Sequence, residues 1–129
     1  MFLLDTNACL DFLLARQPRM VPRVERSFGR LTVSSITAAE LHVGNRMAED
    51  PDGDARRVDT FLHGVIVAPF DEAAARAYGG LARAIGIRRS SFDRLIAAHA
   101  VALGATLVTN NERDFADVPN LRVENWASA

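Results

Sequence analysis

The sequence predicts a single α/β domain with a central parallel sheet covered by helices on both faces. Two observations carry this. Short apolar runs with the β-rich character of strands alternate with longer stretches of helical periodicity along the whole chain. Strands separated by helices join in parallel, because a parallel connection needs a crossover long enough to hold a helix. The length of 129 residues is that of one domain, residues 1–129, and 49% hydrophobic residues suffice for a core.

In chain order, Phe2-Leu3-Leu4 reads as the first strand. A helix follows over 7–15, ended by Gln17-Pro18. A short helix spans about 22–28, with Pro22 in its first turn and Gly29 at its end. Leu31-Thr32-Val33 is the second strand. Helices over 37–48 and 54–63 are divided by Asp50-Pro51-Asp52-Gly53, which reads as a turn. Val65-Ile66-Val67 is the third strand. Ala-rich residues 71–85 form a helix closed by Gly86, and 92–103 another closed by Gly104. Thr106-Leu107-Val108 and Leu121-Arg122-Val123 complete the strands. The 92–103 helix is apolar nearly all round after Arg94, so it is buried. A carboxylate at its start, Asp93, therefore calls for a reason.

Composition narrows the function. The net charge of −1 gives no bulk basic field, although local patches survive a neutral total. All 15 basic residues are Arg, a side chain suited to phosphate and carboxylate recognition, though composition bias gives the same count. The one cysteine, Cys9, excludes an intramolecular disulfide and sits in an apolar helical run that suits packing. The N-terminus lacks a basic region, and no apolar run approaches the ~20 residues of a membrane span. These features predict a soluble cytoplasmic protein with no membrane contact.

The acids are placed suggestively. Asp5 follows the first strand, Glu40 lies one turn into the helix after the second, and Asp114 follows the Thr106–Val108 strand. Ligands of open α/β sheets bind beyond the carboxyl ends of the strands. Each acid also has a plain explanation. Asp5 can cap a helix, Thr37-x-x-Glu40 and Ser90-x-x-Asp93 are spaced as capping boxes, and Asp114 suits a solvated loop. Together they compete with that explanation, because converging carboxylates oppose folding and recruit a hard cation such as Mg²⁺ or Mn²⁺. The remaining polar groups say less. His42, His63 and His99 lack metal-ligand spacing, and His99 reads as a core histidine. Ser90-Ser91 reads as helix capping, Asp11 as part of a solvated face, and Gly79-Gly80 lacks a phosphate-loop context.

Four motifs and the chain's ending resemble a known family. LLDTN at 3–7, ITAAEL at 36–41, DRLIAAHA at 93–100, LVTNNERDF at 107–115 and VPNLRVENW at 118–126 are similar, in order and spacing, to those of PIN-domain ribonucleases. More closely, they resemble the VapC toxins of bacterial VapBC toxin–antitoxin modules. The resemblance implies a three-layer α/β/α sandwich and Mg²⁺- or Mn²⁺-dependent endonucleolytic cleavage of RNA. It carries the family's catalytic and metal-binding acids onto Asp5, Glu40 and Asp93. For the fourth acid the chain offers Asp114, while the position other members use holds Asn111. Thr6 and Asn110 match supporting polar positions. The resemblance also implies a homodimer and a VapB-like antitoxin whose C-terminal segment fills the groove. Arg88, Arg89 and Arg94, beside Asp93, are the basic residues nearest for RNA, with a solvated loop as the other reading.

Two other enzyme classes place an Asp after the first strand. Haloacid-dehalogenase phosphatases need Asp-x-Asp and a Lys, and response-regulator receivers need a Lys; this chain has Asn7 and no Lys. A module that binds RNA or antitoxin without cutting is the non-enzymatic alternative.

Overall fold

The computed structural model describes residues 1–88 and 91–128. Five strands form one parallel sheet: β1 (Phe2–Leu4), β2 (Leu31–Ser34), β3 (Ile66–Ala68), β4 (Thr106–Val108) and β5 (Arg122–Glu124). Their spatial order is β3-β2-β1-β4-β5, and every neighbouring pair is parallel. From β1 the chain steps outward to β2 and β3, then returns to lay β4 on the other side of β1. The strand order therefore reverses between β1 and β4, where an α/β sheet opens a crevice at its carboxyl edge.

Six helices cover the sheet: α1 (Thr6–Leu13), α2 (Val21–Ser27), α3 (Ser35–Val43), α4 (Pro51–Gly64), α5 (Glu72–Ile85) and α6 (Asp93–Leu103). Alternation along the strands builds two cores. Leu4, Leu31, Val33 and Val108 pack with Ala8, Cys9, Val24, Phe61 and Trp126 of α1, α2, α4 and the C-terminal segment. Leu3 and Leu107 pack on the opposite face with Leu81 of α5 and Ile96, Ala97 and Ala100 of α6. This is the three-layer α/β/α sandwich that the family resemblance implied. Cys9 is fully buried, as its packing role requires. No helix among the described residues is long and apolar enough to cross a membrane.

The helix boundaries differ from expectation in instructive ways. The Asp50-Pro51-Asp52-Gly53 stretch is not a turn between helices but the start of α4. Asp50 Oδ1 accepts the Gly53 amide at 3.1 Å, and Pro51 fills the first helical position. The residues that make turns are also those that cap helices. Helix α3 starts at Ser35, two residues before Thr37, and stops at Val43, because Gly44 adopts φ +68°. A 3₁₀ turn over Pro18–Met20 leads into α2. Helix α6 is buried as predicted, with Arg94, Ile96, Ala97, Ala98, His99 and Ala100 all inside. Gly104 closes it in the left-handed region at φ +65°.

Ile96 is completely buried between the sheet and its neighbours on α6. Ile96→Ala is expected to destabilise the protein by about 2–5 kcal/mol, from lost transfer energy plus a cavity. Urea unfolding followed by circular dichroism checks this; an unchanged midpoint would mean that the face packs loosely.

Candidate active site

Asp5 stands at the switch point. Its amide donates to Val108 O at 3.0 Å, which extends the β1–β4 ladder by one residue and fixes the backbone. Its side chain caps α1, with Oδ1 accepting the Ala8 amide at 2.7 Å. The plain reading of Asp5 as a cap is thus correct, and incomplete. Asp5 is 2% exposed. Burial pushes its carboxyl up to about 6, the Thr109 hydroxyl and the Ala8 amide pull it down, and the charges of Asp93 and Asp11 push it up. A cap serving only the helix needs no such burial and no like charges beside it.

Asp93 is the first residue of α6, and its amide donates to Ser91 Oγ at 3.1 Å. It is half-buried, and burial raises its carboxyl. The Ser91 hydroxyl and the Arg88 charge lower it, and Asp114 raises it further. Asp114 sits on a 3₁₀ turn, Glu112–Phe115, with its amide bonded to Asn111 O at 3.1 Å. Asn111 itself is exposed. Asp5, Asp93 and Asp114 thus form a chain of mutually unfavourable carboxylates along the carboxyl edge. Ser90, the candidate cap at this helix start, lies outside the described residues.

Glu40 is positioned differently. The spacing suggested a capping box with Thr37, but Ser34 is the cap of α3, its Oγ accepting the Ile36 amide at 3.1 Å. That leaves Glu40 free for another partner. Oε1 accepts the Thr6 hydroxyl at 2.6 Å, and Thr6 Oγ1 lies 3.1 Å from the Thr37 hydroxyl. Thr6, the residue after Asp5, therefore links the ends of β1 and α3 through their polar groups.

Asn110 does not touch the four acids named so far. Its Nδ2 donates to Asp11 Oδ2 at 2.8 Å, while its own Oδ1 is buried without a partner among the described residues. Asp11, expected on a solvated face, has a side chain only 16% exposed, is paired to Arg16 at 2.9 Å, and is close enough to raise Asp5. Thr109, fully buried beside Asp5, is the second polar residue that the sequence argument passed over. The register that pairs Leu4 with Val108 sets Asp5 beside Thr109, so correct strand pairing would have found it.

The basic candidates separate. Arg88 is exposed, and its charge lowers the Asp93 carboxyl. Arg89 lies outside the described residues. Arg94 is not available to solvent: its side chain is 7% exposed and Nη2 bonds Asp117 Oδ2 at 3.0 Å. The Arg94 side chain is buried and reaches outward only to exposed Asp117, so the surface role expected for Arg94 is corrected. His99 is the core histidine predicted, 1% exposed, with Nδ1 2.8 Å from Ser34 Oγ.

Among the described residues no three His, Cys, Asp or Glu side chains are arranged to close around a metal ion. The donor set nevertheless fits a hard cation of one kind. Mg²⁺ keeps several waters and takes only one or two carboxylates directly, so it needs no enclosing cage. Asp5, buried, and Asp93, half-buried, are the two carboxylates that could supply such a pair.

Comparison with known proteins identifies the family. Residues 2–121 match the PIN domain family model. The chain is 34% identical to a tRNA(fMet)-specific endonuclease VapC of Shigella flexneri, over 98% of each chain. The structure is similar to that of a DNA-bound VapBC of Salmonella typhimurium, with TM-score 0.85 and 30% identity over 97% of each chain. It is also similar to VapBC2 of Rickettsia felis bound to a promoter DNA fragment, with TM-score 0.83 and 31% identity over 97% of this chain and 98% of that one. The acids at the switch point, the sandwich around them and the near-full-length matches lead to one conclusion: the chain belongs to the PIN-domain family, among the VapC ribonucleases.

Proposed function

We propose that the chain is a divalent-cation-dependent endoribonuclease and the toxin of a VapBC module in the cytoplasm. The observation that carries this reading is the burial of Asp5 at the strand-order reversal with Asp93 close enough to raise it further. A fold retains such an arrangement when a cation and a phosphate are its partners.

Asp5 and Asp93 would hold Mg²⁺ or Mn²⁺, with Asp114 and Glu40 reaching it through water. A cation bound there acidifies a water and neutralises charge on the scissile phosphate. The chain's own groups do the rest. Thr6 fixes Glu40 by Oε1, which leaves Oε2 to take the proton of the attacking water. Arg88, exposed beside Asp93, draws in the RNA backbone against the acids' repulsion. In-line attack by water leaves a 5′-phosphate and a 3′-hydroxyl.

The groove between α1, α3 and α4 supports an antitoxin partner. It has a volume of about 430 Å³, is lined by Leu10, Leu13, Leu14, Leu41 and Val43, and reaches Glu40. An apolar segment of a VapB-like antitoxin would fill it and bring a basic side chain to the carboxylates, within a complex built on a toxin homodimer. The similar Salmonella and Rickettsia structures are of VapBC bound to DNA, which supports a VapB-like partner.

The chemistry of the cut ends tests the reading. RNA cut in Mg²⁺ is expected to carry 5′-phosphates, with cutting abolished by EDTA. Ends bearing 2′,3′-cyclic phosphate, or cutting that persists in EDTA, would mean that the 2′-hydroxyl is the nucleophile and the carboxylates hold no cation. Thr6→Val is expected to slow cutting about ten- to a hundredfold by releasing Glu40, as loss of an outer support does at metal sites. A wild-type rate in Thr6→Val would remove Glu40's orientation from the mechanism.

A further inference from the structure

The pairing of buried Arg94 with exposed Asp117 is not explained by stability. Arg94 is 7% exposed at its side chain, yet among the described residues only Nη2 has a partner, and Nε and Nη1 are buried without one. A guanidinium has five N–H donors, and leaving some of them buried and unmet costs free energy. The partner offsets little of this, because the Asp117 side chain is 46% exposed and an ion pair open to solvent contributes little. Something other than packing energy accounts for a charge held here.

The position of the pair supplies the reason. Arg94 directly follows Asp93 on α6, and Asp117 lies three residues after Asp114. Between them, Phe115 and Val118 are buried in the same apolar cluster as Ile96 and Ala97. The turn is thus seated from below by Phe115 and Val118, and pinned at its rim by the 3.0 Å bond from Arg94 to Asp117. A pleat or helix carries Asp5 and Asp93, but Asp114 has only a single 3₁₀ turn behind it. Such a turn depends on an external tie to hold a side chain in place.

We propose that Arg94 and Asp117 are positioning residues: their bond clasps the 112–118 turn to the start of α6 and thereby keeps Asp114 on the Asp93 side of the site. This rests on the cation reading given above. Arg94 acts through the turn and touches neither cation nor RNA.

Titrating Mn²⁺ calorimetrically into the protein without RNA tests the clasp. Asp117→Asn is expected to weaken Mn²⁺ binding about tenfold, as removal of outer-shell support does. In an Asp114→Asn background the same change is expected to have no further effect, because it acts through Asp114. A purely structural pair would lower the melting temperature in both backgrounds and leave the two effects on Mn²⁺ additive. Should the unpaired Arg94 prevent folding, Arg94→Met with Asp117→Asn removes the clasp while keeping the buried volume of Arg94 filled, and is expected to fold and to bind Mn²⁺ as weakly. Asp117→Glu, which keeps the charge at longer reach, is expected to fall between. Equal Mn²⁺ affinity in wild type and Asp117→Asn, or additivity in the double variant, overturns the clasp. Absence of Mn²⁺ uptake by the wild type overturns the cation reading itself, a result distinct from the first two.

Discussion

Asp5→Asn is expected to abolish RNA cutting and, without metal, to make the protein more stable. Both effects come from the same buried carboxyl. In the folded chain its pKa is about 6 against an ordinary 3.8. Below about pH 4 the group is protonated folded or unfolded, and it contributes nothing. As pH rises from 4 to 6, the unfolded chain releases its proton while the folded chain holds it, so stability falls, and above 6 the loss stays constant. Two pKa units correspond to roughly 2–3 kcal/mol. Asn carries no charge and still caps α1, because its side-chain oxygen accepts the Ala8 amide as Asp does. Metal-free melts in EDTA are therefore expected to show Asp5→Asn above wild type at pH 7.5 and level with it near pH 4. Added Mg²⁺ is expected to raise the melting temperature of wild type and not of Asp5→Asn, since only the former binds it in the folded state. A variant less stable than wild type at every pH would show that Asp5 is a structural cap and nothing more.

Asp93→Asn carries the second large effect. Losing half of the direct carboxylate pair removes several kcal/mol of charge stabilisation from the transition state, a fall in cutting of about a thousandfold or more. The fold is expected to persist, since α6 is anchored by Ile96, Ala97 and Ala100 rather than by its first residue. The change also has a readout independent of RNA. The charge of Asp93 helps to raise Asp5, so in Asp93→Asn the Asp5 carboxyl titrates at lower pH. Carboxyl chemical shifts followed by NMR against pH measure this. An Asp5 titration that does not move in Asp93→Asn would place the two carboxylates too far apart to share a cation.

How far the sequence revealed this site depends on the range of the forces involved. The strands and the buried helix α6 were legible because local patterning decides them: apolar runs for β1, β2 and β4, unbroken apolarity after Arg94, and Gly104 to end the helix. The positions of Asp5, just after β1, and Asp93, at the start of α6, were legible because each stands at an element's end. Glu40 lies on the helix after β2 as expected, but its partner is Thr6 and not the Thr37 amide of a capping box. Its bond to Thr6 exists because α3 starts at Ser35 under a Ser34 cap, a choice between neighbouring hydroxyls that Ser34, Ser35 and Thr37 leave open in sequence. Asp11 and Arg94 were misjudged for a shared reason. Charged residues on helices are usually solvated, and only a partner distant in sequence reverses that: Asn110 for Asp11, 99 residues away, and Asp117 for Arg94, 23 away. No local pattern announces such pairs. The match of five motifs in order to the PIN-domain family supplied what periodicity could not, because it fixes which strand ends meet.

The central claim is that the carboxylates at the β1–β4 edge are kept, at a cost in stability, to cut RNA with a cation. The most direct measurement maps cut sites in total cellular RNA after incubation in Mg²⁺ with equal amounts of purified wild type and Asp5→Asn. Discrete cuts made by wild type and missing with Asp5→Asn are the predicted result, and they would also identify the substrate. The same cuts made by Asp5→Asn, or RNA bound and left whole by wild type, would contradict it.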